Sequence, residues 1–134
     1  MTLLEQKAIE LLQKTFVISM SSITEAGYPR VCALVKLKSA DFTIWVSTAA
    51  TSQKVKHYQK NPKAGVMFYN ENDSVTLNGV IDIIEDEDIK KELWGDWMQK
   101  QFPGGVNDPN YCVLRFTATE ATIYIDGGFE TFTY

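Results

Sequence analysis

The stretch that decides the fold is WVSTAATSQKVKHYQKNPKAGVMFY, Trp45 to Tyr69. It predicts a strand, a loop of small hydroxyl residues, a lysine-rich helix that stops at Asn61-Pro62, and another strand. The whole chain is acidic, with 17 acids against 13 bases and a formal net charge of -4. Although the chain is acidic overall, hydroxyl and lysine side chains are concentrated where this predicted strand is followed by the helix.

The composition of the chain limits what it can be. Its 134 residues are one domain's worth of sequence, and 45% hydrophobic with 22% charged residues is ordinary for a globular protein. We therefore expect a single domain over residues 1–134. The acidic balance lacks the overall positive charge that attracts nucleic-acid backbones, so we expect no nucleic-acid partner and a local cluster for any bound anion.

The cysteines and the N-terminal segment indicate the setting. Cys32, Cys112 and the single histidine, His57, have no metal-ligand spacing and suggest neither a zinc site nor a disulfide framework. The first 14 residues, MTLLEQKAIELLQK, carry charges throughout and resemble neither a signal peptide nor a membrane span. We expect a reduced, cytoplasmic setting without membrane attachment.

Hydrophobic periodicity predicts many strands and few helices. Leu4, Ala8, Leu11 and Leu12 lie on one face of a first amphipathic helix. FVISMSSIT and RVCALVKLK predict a hairpin, and FTIWVS, AGVMFYN and SVTLNGVIDIIE predict three further strands. DEDIKKELWGDWMQKQF predicts a helix of about four turns with Trp97 on its apolar face, and YCVLRFTAT, EATIYID and FETFTY predict three last extended runs. The pattern favours a closed or partly closed antiparallel barrel with flanking helices.

The start of the lysine-rich helix is a candidate anion site. A helix N-terminus presents unpaired N–H groups and a partial positive charge, which suit phosphate. Thr51 or Ser52 can cap the helix, and Lys54 in its first turn is unfavourable for the helix unless an anion lies nearby. Arg30 and Lys36 share one face of RVCALVKLK but lie about 20 Å apart along an extended strand, too far to hold one phosphate together. Ordinary capping hydroxyls and surface lysines remain the alternative.

The order of these motifs resembles a known superfamily. GYPRVCALVKLK, the Trp45–Tyr69 stretch, DSVTLNGVIDIIED and DPNYCVLRFTATEATIYIDG together resemble pyridoxamine 5'-phosphate oxidase-like proteins, in particular the short general-stress-protein type. The resemblance covers nearly the whole chain. It implies a split β-barrel of Greek-key type that forms a homodimer and binds flavin mononucleotide (FMN) in clefts at the dimer interface.

The resemblance also implies site residues. Ser52, Gln53 and Lys54 match the family's Ser-Arg-Lys phosphate-binding segment, with Gln53 in place of the usual arginine. An arginine often found on the second strand is replaced by Cys32. Aromatic ring contacts from the second subunit are expected of Trp94 and Tyr111. The residues expected to contact the flavin are Arg30, Cys32, Lys36, Val46, Ser47, Thr48, Thr51, Ser52, Gln53, Lys54, Ser74, Thr76, Trp94 and Tyr111.

The function implied is flavin-dependent electron or hydride transfer to an unknown small substrate or from an unknown donor, with no catalytic side chain assigned. The true oxidase carries a C-terminal segment rich in arginine and tryptophan, whereas no arginine follows Arg115, so we do not expect vitamin B6 oxidation. A non-catalytic flavin-binding stress protein or sensor is the alternative. Use of a deazaflavin or haem is a third possibility, although the single histidine gives haem little support.

Overall fold

The computed structural model describes residues 1–134 as seven strands and three α-helices. The helices are α1 (Leu3–Lys14), α2 (Gln53–Lys60) and α3 (Glu87–Leu93), followed by 3₁₀ turns at Asp96–Lys100 and Gly105–Asn107. The strands are β1 (Val17–Ile23), β2 (Pro29–Ala40), β3 (Thr43–Ala49), β4 (Lys63–Asn70), β5 (Asp73–Ile84), β6 (Tyr111–Ile125) and β7 (Gly128–Thr133). None of the helices has the length and apolar character of a membrane span.

Six of the strands close into an antiparallel barrel. The order is β3-β2-β1-β4-β5-β6, and β6 pairs with β3 to complete the circle. The first half of β6 pairs with β3, and its second half pairs with β7, which extends the sheet beyond the barrel. The pairing of β6 with β3 covers edges of these two strands that would otherwise invite pairing with other chains. The sequence prediction of a mainly β barrel with flanking helices is confirmed.

The barrel interior is the main core, and two helices cover its opposite ends. Alternate residues of each strand point inward, as Val75 and Leu77 do on β5. Near Asp126, at the end of β6, α1 inserts Ala8 and Leu12 into the core. At the other end, α2 inserts Val55 and Tyr58, and the Tyr58 hydroxyl donates to the Ser21 carbonyl at 2.7 Å. The chemistry-bearing stretch thus closes one mouth of the barrel.

The barrel wall opens between β2 and β3 at this same end. The two strands pair from Lys36 with Val46 to Ala40 with Thr43. The first half of β2, Pro29–Val35, pairs with β1 alone, and the end of β3, Ser47–Ala49, pairs with β6 alone. A gap between two strand segments therefore leads to the start of α2. We refer to it as the β2–β3 gap.

Two predicted elements are wrong in their boundaries. The predicted four-turn helix is broken: α3 ends at Leu93, and Trp94 and Gly95 are extended before the 3₁₀ turn begins. Trp97 therefore leaves the apolar face and is 56% exposed, while Met98 is fully buried in its place. The runs YCVLRFTAT and EATIYID form the single strand β6. The polar break between them is a bulge, where Ala118 pairs with Gly79 and Glu120 with Asn78, leaving Thr119 unpaired with β5.

A buried carboxylate joins the start of α1 to the C-terminal residue. Glu5 accepts hydrogen bonds from the Thr2 backbone N–H at 2.9 Å and from the Tyr134 hydroxyl at 2.5 Å. These bonds, with the Tyr134 bond the larger influence, lower the pKa of Glu5 below its ordinary value. The folded state therefore gains stability from the ionised carboxylate above the unfolded pKa of about 4.3 and loses it as pH falls through the lower folded value.

We expect Glu5→Gln to lower the free energy of unfolding at pH 7 by about 1–2 kcal/mol, because two bonds to a charged acceptor are weakened. The variant should also lose less stability than the parent between about pH 5 and pH 3. Urea denaturation at several pH values measures both effects. Glu10→Gln, on the exposed side of the same helix, is the control and should change neither. Equal pH dependence in the parent and Glu5→Gln would contradict this role.

Candidate functional site

The start of α2 is a helix end without a side-chain cap. Ser52 occupies the N-cap position with extended backbone, yet its hydroxyl makes no capping bond to the helix. Its own N–H donates to the Ala49 carbonyl at 2.9 Å, which closes a tight turn after β3. The first-turn N–H groups of α2 therefore have no side-chain partner, and the partial positive charge of the helix end is unopposed.

Three side chains of the predicted site meet at this helix end. Lys54 Nζ donates to Thr48 Oγ1 at 3.1 Å, and Thr48 Oγ1 donates to Ser52 Oγ at 3.4 Å. Thr48 is buried at the end of β3, and Ser52 and Lys54 are half-buried. We refer to Thr48, Ser52 and Lys54 as the hydroxyl–lysine cluster. An ammonium and two hydroxyls beside a helix N-terminus form a donor set suited to a phosphate.

Asn110, which the sequence reasoning missed, holds the loop in place. Its side-chain oxygen accepts bonds from both the N–H and the hydroxyl of Thr51, each at 3.3 Å, and its carbonyl accepts from the Ala50 N–H at 2.9 Å. Thr51 is exposed and is turned toward Asn110. Asn110 lies 59 residues from Thr51 in the chain. Its only signal in the sequence is a place in the turn-forming run NDPN, which gives no hint of the partner.

The electrostatic surroundings of the cluster are positive. Between Asp41 and Glu71 the sequence has four lysines and no acidic residue. The first turn of α2 contains no acid, and no salt bridge involves Lys54. The local charge of this segment thus opposes the net charge of the chain, which is the arrangement expected of an anion site on an acidic protein.

Several predicted residues flank the β2–β3 gap. On one side, Arg30 is exposed at the start of β2, and Cys32 is half-buried with its thiol near the Met20 carbonyl at 3.7 Å. On the other side, Ser47 and Val46 are buried, so they can offer a ligand little beyond backbone groups. Gln53 is exposed on the first turn of α2. The gap and the hydroxyl–lysine cluster together form one continuous candidate site.

The structure does not bring Lys36 to the cluster. Its ammonium donates to the Leu12 carbonyl at the C-terminal end of α1, which belongs to the helix at the opposite end of the barrel. Partial burial lowers the pKa of Lys36. The alternation predicted for β2 is interrupted by a register shift between Lys36 and Lys38, and the Lys36 side chain reaches the C-terminal end of α1, where it donates to a terminal carbonyl.

Ser74 and Thr76 lie on the outer face of the barrel wall. Met67 is opposite Thr76, and Tyr69 is opposite Ser74, so these side chains share one surface. The interior face of β5 is taken by Val75 and Leu77. The two hydroxyl residues are therefore separated from the hydroxyl–lysine cluster by the thickness of the wall.

Trp94 and Tyr111 belong to a second, smaller core outside the barrel. Their rings meet at 5.2 Å in an edge-to-face arrangement, and Phe102 packs against Tyr111 at 5.3 Å. Tyr111 is 1% exposed, its hydroxyl donates to the Lys90 carbonyl at 2.8 Å, and burial raises its pKa to about 12. The sequence suggested these rings as flavin contacts, but within the chain they pack the segment after α3 onto the barrel.

Comparison with known proteins is consistent with this architecture. The family model described as pyridoxamine 5'-phosphate oxidase like matches residues 6–131, which is nearly the entire chain. The chain belongs to this family. No curated protein is significantly similar in sequence. The matched range includes the hydroxyl–lysine cluster at the start of α2.

Solved structures of similar proteins share the fold of this oxidase-like chain. A Clostridium acetobutylicum protein related to general stress protein 26 of B. subtilis, of the pyridoxinephosphate oxidase family, is 30% identical, with 96% of this chain and 93% of that chain covered and a TM-score of 0.86. General stress protein 26 of Bacillus anthracis is 21% identical over 99% of this chain and 100% of that chain, with a TM-score of 0.85. A haem-binding protein from Mycobacterium smegmatis, 12% identical, matches 99% of this chain but 59% of that one, with a TM-score of 0.78. The last two likenesses concern the fold alone.

Proposed function

We propose that this oxidase-like chain binds FMN at the hydroxyl–lysine cluster and acts as a flavin-dependent oxidoreductase. The observation that carries the proposal is the hydrogen-bonded set Lys54–Thr48–Ser52 at an uncapped helix N-terminus, inside a segment without acids. Lys54 supplies a charge-assisted bond to the phosphate, and Ser52 and the first-turn N–H groups of α2 supply neutral ones. Gln53 gives a weaker bond at the place where an arginine would add a second charge.

The residues present fit the remainder of such a cofactor. The β2–β3 gap leads away from the cluster and offers backbone groups of Ser47–Ala49 that are not paired with β2. Arg30 pairs with Ser22 on β1, next to Ser21, whose carbonyl accepts the hydrogen bond from the Tyr58 hydroxyl of α2. An arginine at this end of the barrel can stabilise negative charge that develops on a reduced ring. Bound flavin would supply hydride or electron transfer, while the protein sets its position and electrostatic environment.

We further propose that the protein is a homodimer joined through the outer face of β1, β2 and β4. Outward-pointing apolar residues on these strands are Val17, Val31, Ala33, Met67 and Tyr69, with Ser19 and Ser21 of β1 between them and the charged Lys63 at the start of β4. Val31 and Tyr69 are each 65% exposed. A sheet face with several exposed apolar side chains is typical of a protein interface. Ser74 and Thr76 continue the same face, and a partner on it would bring them into an interface.

Val31→Glu should convert the dimer to a monomer, because a carboxylate would be buried against apolar side chains without a partner. Analytical ultracentrifugation at several concentrations measures the mass. Val80→Glu on β5, a position 37% exposed outside this patch, is the control and should stay dimeric. A parent chain that remains monomeric at high concentration would contradict the proposed interface.

Turnover distinguishes an oxidoreductase from a flavin-storing or sensing protein. FMN-loaded protein is mixed anaerobically with reduced nicotinamide adenine dinucleotide or with dithionite. The flavin absorbance near 450 nm is then recorded over a period on the order of seconds to minutes. Bleaching by the nicotinamide donor, followed by reoxidation with an added acceptor over many cycles, supports the oxidoreductase. Stoichiometric FMN binding with bleaching by dithionite alone would favour the sensor.

A further inference from the structure

A groove of about 980 Å³ separates α2 from the tip of the β1–β2 hairpin. Its walls are the hairpin residues 23–26 and the outer face of α2. It lies on the side of α2 away from the buried Val55 and Tyr58, and Lys54, Ser52 and Thr48 do not line it. The groove is therefore separate from the hydroxyl–lysine cluster. Gln53 lines the groove and lies between Ser52 and Lys54 of the cluster in the sequence. We refer to it as the α2 groove.

The α2 wall of the groove is built for anions. Gln53, Lys56, His57 and Lys60 line it and stand at i, i+3, i+4 and i+7, so they form one stripe along the helix. Every member can donate a hydrogen bond, and the two lysines are one helical turn apart, about 5–6 Å between their β-carbons. That spacing suits two adjacent phosphates better than one. At the hairpin side, Ile23 and Ala26 supply the only apolar lining.

A hydrogen bond from β1 orients His57, the histidine of this stripe. Its Nδ1 is 2.8 Å from the hydroxyl of Ser22, which is 2% exposed on β1. This bond fixes the ring and leaves Nε2 without a protein partner. A histidine oriented by a buried hydroxyl is pre-organised, so a ligand that bonds to it loses less side-chain entropy than one that must order a free side chain.

One carboxylate side chain lies in the lining of the groove. The only carboxylate in its lining is Glu25 at the hairpin tip, and it pairs with Lys60. The hydrogen bond and the charge of Lys60 lower the pKa of Glu25, so the carboxylate is ionised at neutral pH. The pair is largely exposed and weak, which means that a stronger anion can displace Glu25 from Lys60 at little cost. The carboxylate thus occupies the position that a ligand's phosphate would take.

We propose that the α2 groove binds a nucleotide through its diphosphate, with Lys56 and Lys60 on the two phosphates, His57 Nε2 beside them, and the base toward Ile23 and Ala26. The volume is at the upper end of the range for small-molecule sites and accommodates such a ligand. This site does not depend on the proposed flavin site. If both are present, the groove would hold a second, phosphate-bearing reactant next to the cofactor, since Gln53 borders both.

Isothermal titration with adenosine 5'-diphosphate, and separately with pyrophosphate and orthophosphate, tests the proposal in the absence of flavin. We expect saturable binding at one site per chain, tightest for the diphosphate nucleotide, at least tenfold weaker in Lys56→Ala/Lys60→Ala, and weaker at high salt. Lys63→Ala/Lys100→Ala removes the same charge from exposed lysines outside the groove and is the matched control. No binding at millimolar nucleotide, or equal loss in the control, would overturn the proposal, as would equal affinity for pyrophosphate and the nucleotide.

Glu25→Gln should strengthen nucleotide binding, whereas the lysine substitutions weaken it. Removal of the competing carboxylate should tighten nucleotide binding about threefold to tenfold, because Lys60 no longer has a resident partner. Unchanged or weaker binding would contradict the role given to Glu25. Lys54→Met separates this site from the proposed flavin site, because it should leave nucleotide affinity unchanged. If FMN and the nucleotide competed for binding, and Lys54→Met weakened the binding of both, the two ligands would share one site and the proposal would be overturned.

Discussion

Gly79→Ala should lower the free energy of unfolding by about 3 kcal/mol or more, enough to leave the protein largely unfolded if it is of ordinary stability. A β-carbon at this position would lie 2.2 Å from the Thr117 carbonyl oxygen and 2.8 Å from the Phe116 ring. Both neighbours are fixed, since the oxygen belongs to the β5–β6 ladder at the bulge and Phe116 is fully buried in the barrel. Neither can move aside without breaking strand pairing or the core.

Gly27→Ala is the matched control for Gly79. Gly27 has a φ of +87° in the β1–β2 turn, and a β-carbon there would meet nothing within 4 Å. It should cost about 1 kcal/mol through backbone strain alone. Urea denaturation followed by tryptophan fluorescence compares the two variants with the parent. A Gly79→Ala protein as stable as Gly27→Ala would mean that the bulge relaxes freely, which would contradict the fixed positions argued for the Thr117 carbonyl and the Phe116 ring.

Lys54→Met should weaken FMN binding by about 10- to 100-fold, the loss expected when one charge-assisted bond to a phosphate is removed. Methionine keeps most of the aliphatic stem, so packing beside Thr48 is retained and the free energy of unfolding should change by less than about 0.5 kcal/mol. Titration of the apoprotein with FMN, followed by quenching of flavin fluorescence, measures the affinity. The effect should shrink as salt is raised.

Lys63→Met is the control for Lys54. Lys63 lies in the same acid-free segment but is exposed at the start of β4, away from the cluster. It changes net charge identically and should alter FMN affinity less than about twofold. If both variants weakened FMN binding equally, the general charge of the segment would be responsible, and the specific contact assigned to Lys54 would be wrong.

The sequence predicted the barrel because its strands alternate inward and outward residues, and this period reports burial directly. It also predicted α2 and its boundaries closely, since Ser52 and Asn61-Pro62 mark both ends. It failed at Trp94–Gly95, where helical spacing of apolar residues continues across a break. Periodicity alone cannot report that Met98 is the side chain that becomes buried and that Trp97 becomes exposed.

In the candidate site, too, some contacts could be predicted from the sequence and others could not. Contacts between near neighbours, such as Lys54 with Thr48, follow from the turn between β3 and α2 and could be anticipated. The long-range contacts could not. The bond of Asn110 to Thr51 and that of Lys36 to Leu12 depend on strand pairing and on which face of β2 turns inward. A one-residue change of strand register reverses such a face, so single-sequence reasoning left these positions open.

The most direct test of a flavin site at the start of α2 is an FMN titration of the purified chain, monitored by absorbance and by quenching of flavin fluorescence. We expect saturable binding at one FMN per chain, because each chain contributes one hydroxyl–lysine cluster. The bound flavin should be released by competing phosphate at high concentration. A chain that binds no FMN at concentrations well above the micromolar range, while folded, would contradict the proposal that this helix end is a flavin phosphate site.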